Sequence, residues 1–132
     1  MKSEQDRRLV ILAVEDNEAN RMLIQAVLQG SGYLVLLASS ATEALTSIAL
    51  QRPDLILMDV QLPGQDGLAL TRQLKADPDL AAIPVVAITA HAMASDRQLC
   101  LDAGCIGYIA KPFNTRTLGA EILHFLQPAS QL

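Results

Sequence analysis

The stretch LVILAVEDN, residues 9–17, runs through six apolar residues and then turns without a spacer into two carboxylates and an asparagine. The same grammar returns at residues 55–59, LILMD, and at residues 85–89, VVAIT. Two more short apolar runs stand at residues 33–38, YLVLLA, and 107–110, GYIA, the latter followed at once by Lys111. None of these runs alternates apolar with polar residues. Unalternating runs of this length suit strands buried on both faces, as in a parallel sheet.

Helical patterns fill the spaces between them. Across residues 18–29, Ala19, Met22, Leu23, Ala26 and Val27 recur at helical spacing and predict one buried stripe, with Gly30 and Gly32 ending the helix. Ser40-Ala41-Thr42-Glu43 has the form of a capping box and opens a helix through Leu50, which Pro53 stops. A third helix carries Leu68, Leu70, Thr71 and Leu74 after the loop Pro63-Gly64-Gln65-Asp66-Gly67. A fourth starts at Ser95 or Asp96 and ends at Gly104; a fifth, capped by Asn114, carries Leu118, Ile122, Leu123 and Leu126. Strand and helix thus alternate five times. The expected fold is α/β, a doubly wound five-stranded parallel sheet with five helices on its two faces and right-handed crossovers.

The 132 residues make one domain, residues 1–132, with its core over about 8–127 and frayed ends. Hydrophobic residues form 51% of the chain, which excludes a disordered polypeptide. The net charge of −4 and the absence of a Lys/Arg run argue against nucleic-acid binding through phosphate neutralisation. The apolar runs are too short for a membrane helix, and Met1 to Arg8 is too polar for a signal peptide. Cys100 and Cys105 match no redox or zinc spacing and read as small apolar residues of a cytoplasmic protein.

In such a sheet, function collects at the carboxyl ends of the strands. Glu15 and Asp16 follow the first strand, Asp59 the third, Thr89 the fourth and Lys111 the fifth. Carboxylates gathered in one cleft repel one another unless a cation sits among them, and a hard oxygen donor set selects Mg2+.

On Glu15-Asp16-Asn17, Leu57-Met58-Asp59-Val60-Gln61-Leu62-Pro63-Gly64 with Asp66-Gly67, Ile88-Thr89-Ala90 and Tyr108-Ile109-Ala110-Lys111-Pro112-Phe113, the chain resembles the receiver domains of two-component response regulators, the CheY-like family with its flavodoxin-like fold. That resemblance implies a phosphorelay. Asp59 would accept a phosphoryl group from a phosphohistidine on a sensor histidine kinase or a histidine phosphotransfer protein. Asp16 and Asp59 would bind Mg2+ directly, Glu15 through water, and the Gln61 backbone carbonyl would complete the protein ligands. Lys111, with a cis bond to Pro112, would pair with one phosphoryl oxygen and Thr89 with another. Thr89 and Tyr108 would form the switch, displaying a new surface on the helix 4–strand 5–helix 5 face to an output protein. Gln61 and His91 would tune the phosphoryl lifetime. Met93 is either an exposed contact or helix packing.

The kinase is expected to dock around helix 1, near Asn17, Asn20 and Arg21. The short tail after the last helix predicts output by protein contact from a monomer that is not itself an enzyme. Three alternatives stand beside this reading. One is a receiver module of a hybrid histidine kinase that hands its phosphate onward. Another is a receiver-like module that is never phosphorylated. The third is an aspartate-nucleophile phosphatase of the haloacid dehalogenase type, which would need an acid where Gln61 stands.

Overall fold

The computed structural model describes residues 8–62, 64–90 and 93–126. Five strands form one sheet: β1 (Val10–Val14), β2 (Leu34–Ala38), β3 (Leu55–Asp59), β4 (Val85–Thr89) and β5 (Gly107–Ala110). The five helices are α1 (Glu18–Gly30), α2 (Ala41–Leu50), α3 (Gly67–Ala76), α4 (Ala94–Ala103) and α5 (Leu118–Leu126). The strand order is β2-β1-β3-β4-β5, every pairing parallel. A two-rung antiparallel hairpin, Gln61–Leu62 with Gln65–Asp66, links β3 to α3. No helix among the described residues is long and apolar enough to cross a membrane.

The strands β1, β3 and β4 are buried from end to end, as unalternating apolar runs require. Their side chains point alternately to two cores. Ile11, Ala13, Leu55, Leu57, Val86 and Ile88 face α1 and α5 with Ile24, Leu28, Leu118 and Ile122. Leu12, Val14, Ile56, Met58, Val85 and Ala87 face α2, α3 and α4, together with Ala44, Leu70 and Cys100. Both cysteines are free and buried, and burial pushes the Cys105 thiol up to about 11, so they pack as apolar residues.

The strand order places the functional rim. β2 lies on one side of β1 and β3 on the other, so the chain reverses direction across the sheet between them. Side chains leaving the ends of β1 and β3 therefore meet in the crevice that this reversal opens.

Local chemistry departs from the sequence reading in three places. In α1 the buried pair is Ile24 and Leu28, flanked by half-buried Leu23 and Val27, whereas Met22 is 61% exposed. Apolar residues cover more than half of this helix's circumference, so periodicity cannot choose among overlapping stripes; the larger branched chains win the interior. The Ser40 hydroxyl accepts from the Glu43 N–H at 3.2 Å, but the Glu43 carboxylate turns to the N–H and hydroxyl of Ser39, each at 2.8 Å, rather than to Ser40. Helix α4 begins before Ser95, because the Met93 carbonyl already accepts the Arg97 N–H at 3.0 Å. Asn114 caps the turn that leads into α5 as expected, its Oδ1 accepting the Arg116 N–H at 3.0 Å and its carbonyl accepting from Thr117 and Leu118.

One glycine couples β3 to the helix after it. Gly67 is the first residue of α3, and its N–H donates to the Val60 carbonyl at 2.9 Å. A Cβ there would collide with the Asp59 carbonyl oxygen and press on Val60 Cα. Gly67→Ala is therefore expected to cost about 2 kcal/mol, as overpacking against backbone that cannot yield. Gly30→Ala, where a Cβ meets nothing, is neutral or raises stability, by up to about 1 kcal/mol. Urea unfolding midpoints of the two variants, moving in opposite directions or only one of them moving down, check this.

Candidate functional site

Each expected rim residue is where its strand delivers it. Glu15 continues the β1 ladder, its N–H donating to the Ala38 carbonyl at 2.9 Å, and its side chain is completely buried. Asp16, one residue on, is exposed. Asn17 then caps α1, accepting the Asn20 N–H at 2.9 Å. Asp59 closes β3 and is 2% exposed; its Oδ1 accepts the Gln61 N–H at 2.9 Å. Thr89 closes β4 and is buried. Lys111 follows β5, its N–H held by the Thr89 carbonyl at 2.8 Å, and the Lys111–Pro112 peptide is cis.

The side chains converge. Lys111 Nζ lies 3.0 Å from Glu15 Oε2 and 3.1 Å from Asp59 Oδ2, so one ammonium bridges two buried carboxylates. Carboxylate oxygens of Glu15, Asp16 and Asp59 lie within 4.8 Å of one another. Burial, and then the adjacent Asp59, raise the Glu15 pKa, with Lys111 pulling the other way. For Lys111, burial acts to lower the pKa, but the hydrogen bonds and charges of Glu15 and Asp59 outweigh it and hold the ammonium above its ordinary value.

These residues fit a divalent cation. Three carboxylates against one ammonium leave two negative charges in excess, the charge of a single Mg2+. Glu15 Oε2, although at ion-pair distance from Lys111, makes no hydrogen bond of good geometry, an orphaned buried acceptor. Every donor is a hard oxygen, the set that Mg2+ prefers. Beside the carboxylates a cavity of about 170 Å3, lined by Asp59, Gln61, Thr89 and Lys111 on its polar side and by Leu68 and Leu99 on its apolar side, leaves room for a phosphoryl-sized group.

The geometry also shows residues that the sequence reading missed or misassigned. Arg21, expected at a docking surface, folds back: its Nη1 donates to the carbonyls of Glu15 and Asp16, both at 2.8 Å. Its place on the second turn of α1, five residues after Asp16, is the one sequence signal for this strap. Asp96 lines the cavity. Tyr108 on β5 is half-buried, and Arg97 of α4 donates to its hydroxyl at 2.9 Å. Met93 is 71% exposed. Gln61 is exposed, His124 faces solvent, and His91 lies outside the described residues.

Comparison with known proteins agrees with this arrangement. The response regulator receiver domain family matches residues 11–123. The chain belongs to that family. A polar-differentiation response regulator DivK from Brucella anthropi is 44% identical over 119 residues, 90% of this chain and 97% of the relative. Among solved structures, the receiver domain of a Pseudomonas aeruginosa sensor histidine kinase, with a magnesium ion coordinated in its active-site cleft, is 39% identical with a TM-score of 0.81, covering 90% of this chain and 98% of that one. The Vibrio cholerae chemotaxis protein CheY4 superposes with a TM-score of 0.84 at 27% identity, covering 89% and 98%. The protein is thus a CheY-like receiver of two-component signalling, not an enzyme of the ordinary kind, with an acidic cluster suited to Mg2+.

Removing the shared ammonium should expose the electrostatic imbalance. Lys111→Met is expected to destabilise the metal-free protein by about 2 kcal/mol, below the usual cost of breaking a buried pair because the ammonium is partly solvated. Added Mg2+ should then raise the urea midpoint more in Lys111→Met than in the wild type, because binding to the folded state alone adds to stability. Adding Asp16→Ala should abolish that gain.

Proposed function

We propose that Asp59 accepts a phosphoryl group from a phosphohistidine of a sensor histidine kinase or a histidine phosphotransfer protein, and that the resulting acyl phosphate switches a protein-binding surface. The observation that carries this reading is the buried Asp59 carboxylate bridged by Lys111 beside a cavity that Gln61 and Thr89 also line. An Asp59 carboxylate oxygen forms the new O–P bond as the P–N bond of the donor breaks, and the imidazole leaves with the electron pair. Glu15, Asp16, Asp59 and the Gln61 backbone carbonyl would hold Mg2+, which when bound would supply positive charge to the phosphoryl oxygens. The Gln61 N–H fixes Asp59 Oδ1, so the nucleophile does not rotate. Lys111 follows the charge from the carboxylate to a phosphoryl oxygen. The Thr89 hydroxyl donates to another, and that inward movement draws Tyr108 after it.

The donor docks against α1 beside the rim, where Met22, Ala19 and Ala26 are exposed. Arg21 takes part there through the acid loop that it holds rather than as a free contact. The output face comprises α4, β5 and α5, and the protein acts in the cytoplasm as a monomer. Similarity to a sensor-kinase receiver supports a second route for the same chemistry, in which the phosphoryl group passes onward to a phosphotransfer protein. A haloacid-dehalogenase-type phosphatase is disfavoured because Gln61 supplies no acid two residues after Asp59.

Acetyl phosphate or phosphoramidate with Mg2+ is expected to add the mass of one phosphoryl group, read by intact-protein mass spectrometry. Asp59→Asn or chelation should abolish the addition. Full labelling of Asp59→Asn would overturn the assignment of the acceptor, and multiple turnover of a small phosphate ester would favour the phosphatase.

A further inference from the structure

The reading above gives Tyr108 a moving part without saying what sets its resting position. Arg97, in the first turn of α4, touches it in two ways. Its Nη2 donates to the Tyr108 hydroxyl at 2.9 Å, and its guanidinium carbon lies 5.2 Å from the ring centroid. The guanidinium thus lies against the ring and holds its hydroxyl edge at the same time. This is a pairing that arginine, with its planar fork of donors, makes better than lysine.

The ladder sets what a moving ring would pass. In the β4–β5 ladder Tyr108 stands opposite Ala87, and Ala110 opposite Thr89. Side chains two residues apart share a face of the sheet, so Tyr108, Ala87 and Thr89 lie on the same side, the one covered by α4. Ala87 contributes a single methyl between the tyrosine and the threonine. A ring turned toward Thr89 would cross that alanine, and its hydroxyl would leave Arg97, which is anchored on α4. The ring's other flank borders a groove of about 270 Å3 against α5, lined by Thr117, Ala120, Glu121, His124 and Phe125. On the side covered by α4 the ring packs against the core, and the directional contact on its hydroxyl is the hydrogen bond from Arg97.

We propose that Arg97 is a positioning residue that latches Tyr108 in its outward resting state and so opposes phosphorylation of Asp59. The proposal rests on the phosphorylation and switch reading above. Its thermodynamic core is reciprocity: if phosphorylation favours the inward ring, then whatever favours the outward ring disfavours phosphorylation by the same factor at equilibrium, and it slows labelling to the extent that the ring turns in before the transfer. An exposed contact of this kind supports a bias of about twofold to fivefold.

The chain contains two tyrosines and no tryptophan, so Tyr33→Phe leaves Tyr108 as the sole tyrosine. Its fluorescence and near-ultraviolet signal then report the ring alone. In that background, phosphorylation with acetyl phosphate and Mg2+ should shift the Tyr108 signal. Arg97→Ala should move the signal part of the way with no donor present. It should also raise the initial labelling rate about twofold to fivefold at saturating Mg2+, with Arg97→Lys in between. In a Tyr108→Ala background, Arg97→Ala should leave the rate unchanged, which a general loosening of α4 would not predict.

If phosphorylation shifts the Tyr108 signal but Arg97→Ala changes neither signal nor rate, the latch is refuted and the proposed function stands. A rate gain that persists without Tyr108 also refutes it. If Asp59 is labelled and the Tyr108 signal stays still, the switch reading falls and the latch falls with it. If Asp59 is not labelled at all, the acceptor assignment itself fails.

Discussion

Two carboxylates, Glu15 and Asp59, are buried at the ends of neighbouring strands and share a single ammonium. Buried charge is costly unless it is paired, and here the pairing is incomplete by design of the rim: Asp16 adds a third negative charge at the mouth. The rest of the fold serves this imbalance. The strand order puts the ends of β1 and β3 side by side, the Gln61 N–H and the Gly67 approach fix the backbone around Asp59, and β5 brings Lys111 across from the far side. A site in this state suits a divalent cation.

Membership of the receiver family is supported by nearly the full length of the chain and by its relatives. The relatives include a polar-differentiation response regulator and the receiver domain of a sensor histidine kinase. In this chain the carboxylates and the ammonium of the rim all come from the ends of strands.

Much of this was legible before any coordinates. An apolar run that ends abruptly in a carboxylate reports both a buried strand and the residue at its carboxyl end, so Glu15, Asp16, Asp59, Thr89 and Lys111 could be placed on one rim from their neighbours alone. The helices were less legible. In α1 the apolar residues are too many for periodicity to choose Ile24 and Leu28 over Met22, and in α4 hydrogen bonding starts at a methionine with no capping side chain. The two arginines were the least legible. Arg21 and Arg97 have long, flexible side chains whose partners are a pair of backbone carbonyls and a tyrosine on another element. Composition and spacing mark such residues as solvated charge, and only tertiary placement gives them a task.

The Arg21 strap has a mechanical consequence. One guanidinium nitrogen ties the second turn of a thirteen-residue helix to the two peptide groups that carry the acid pair. The segment from Glu15 to Asn17 is consequently no slack hinge but the short arm of a lever whose long arm is α1. A load placed on the outer surface of that helix therefore has a direct path, through two hydrogen bonds, to the peptide groups of the acid pair.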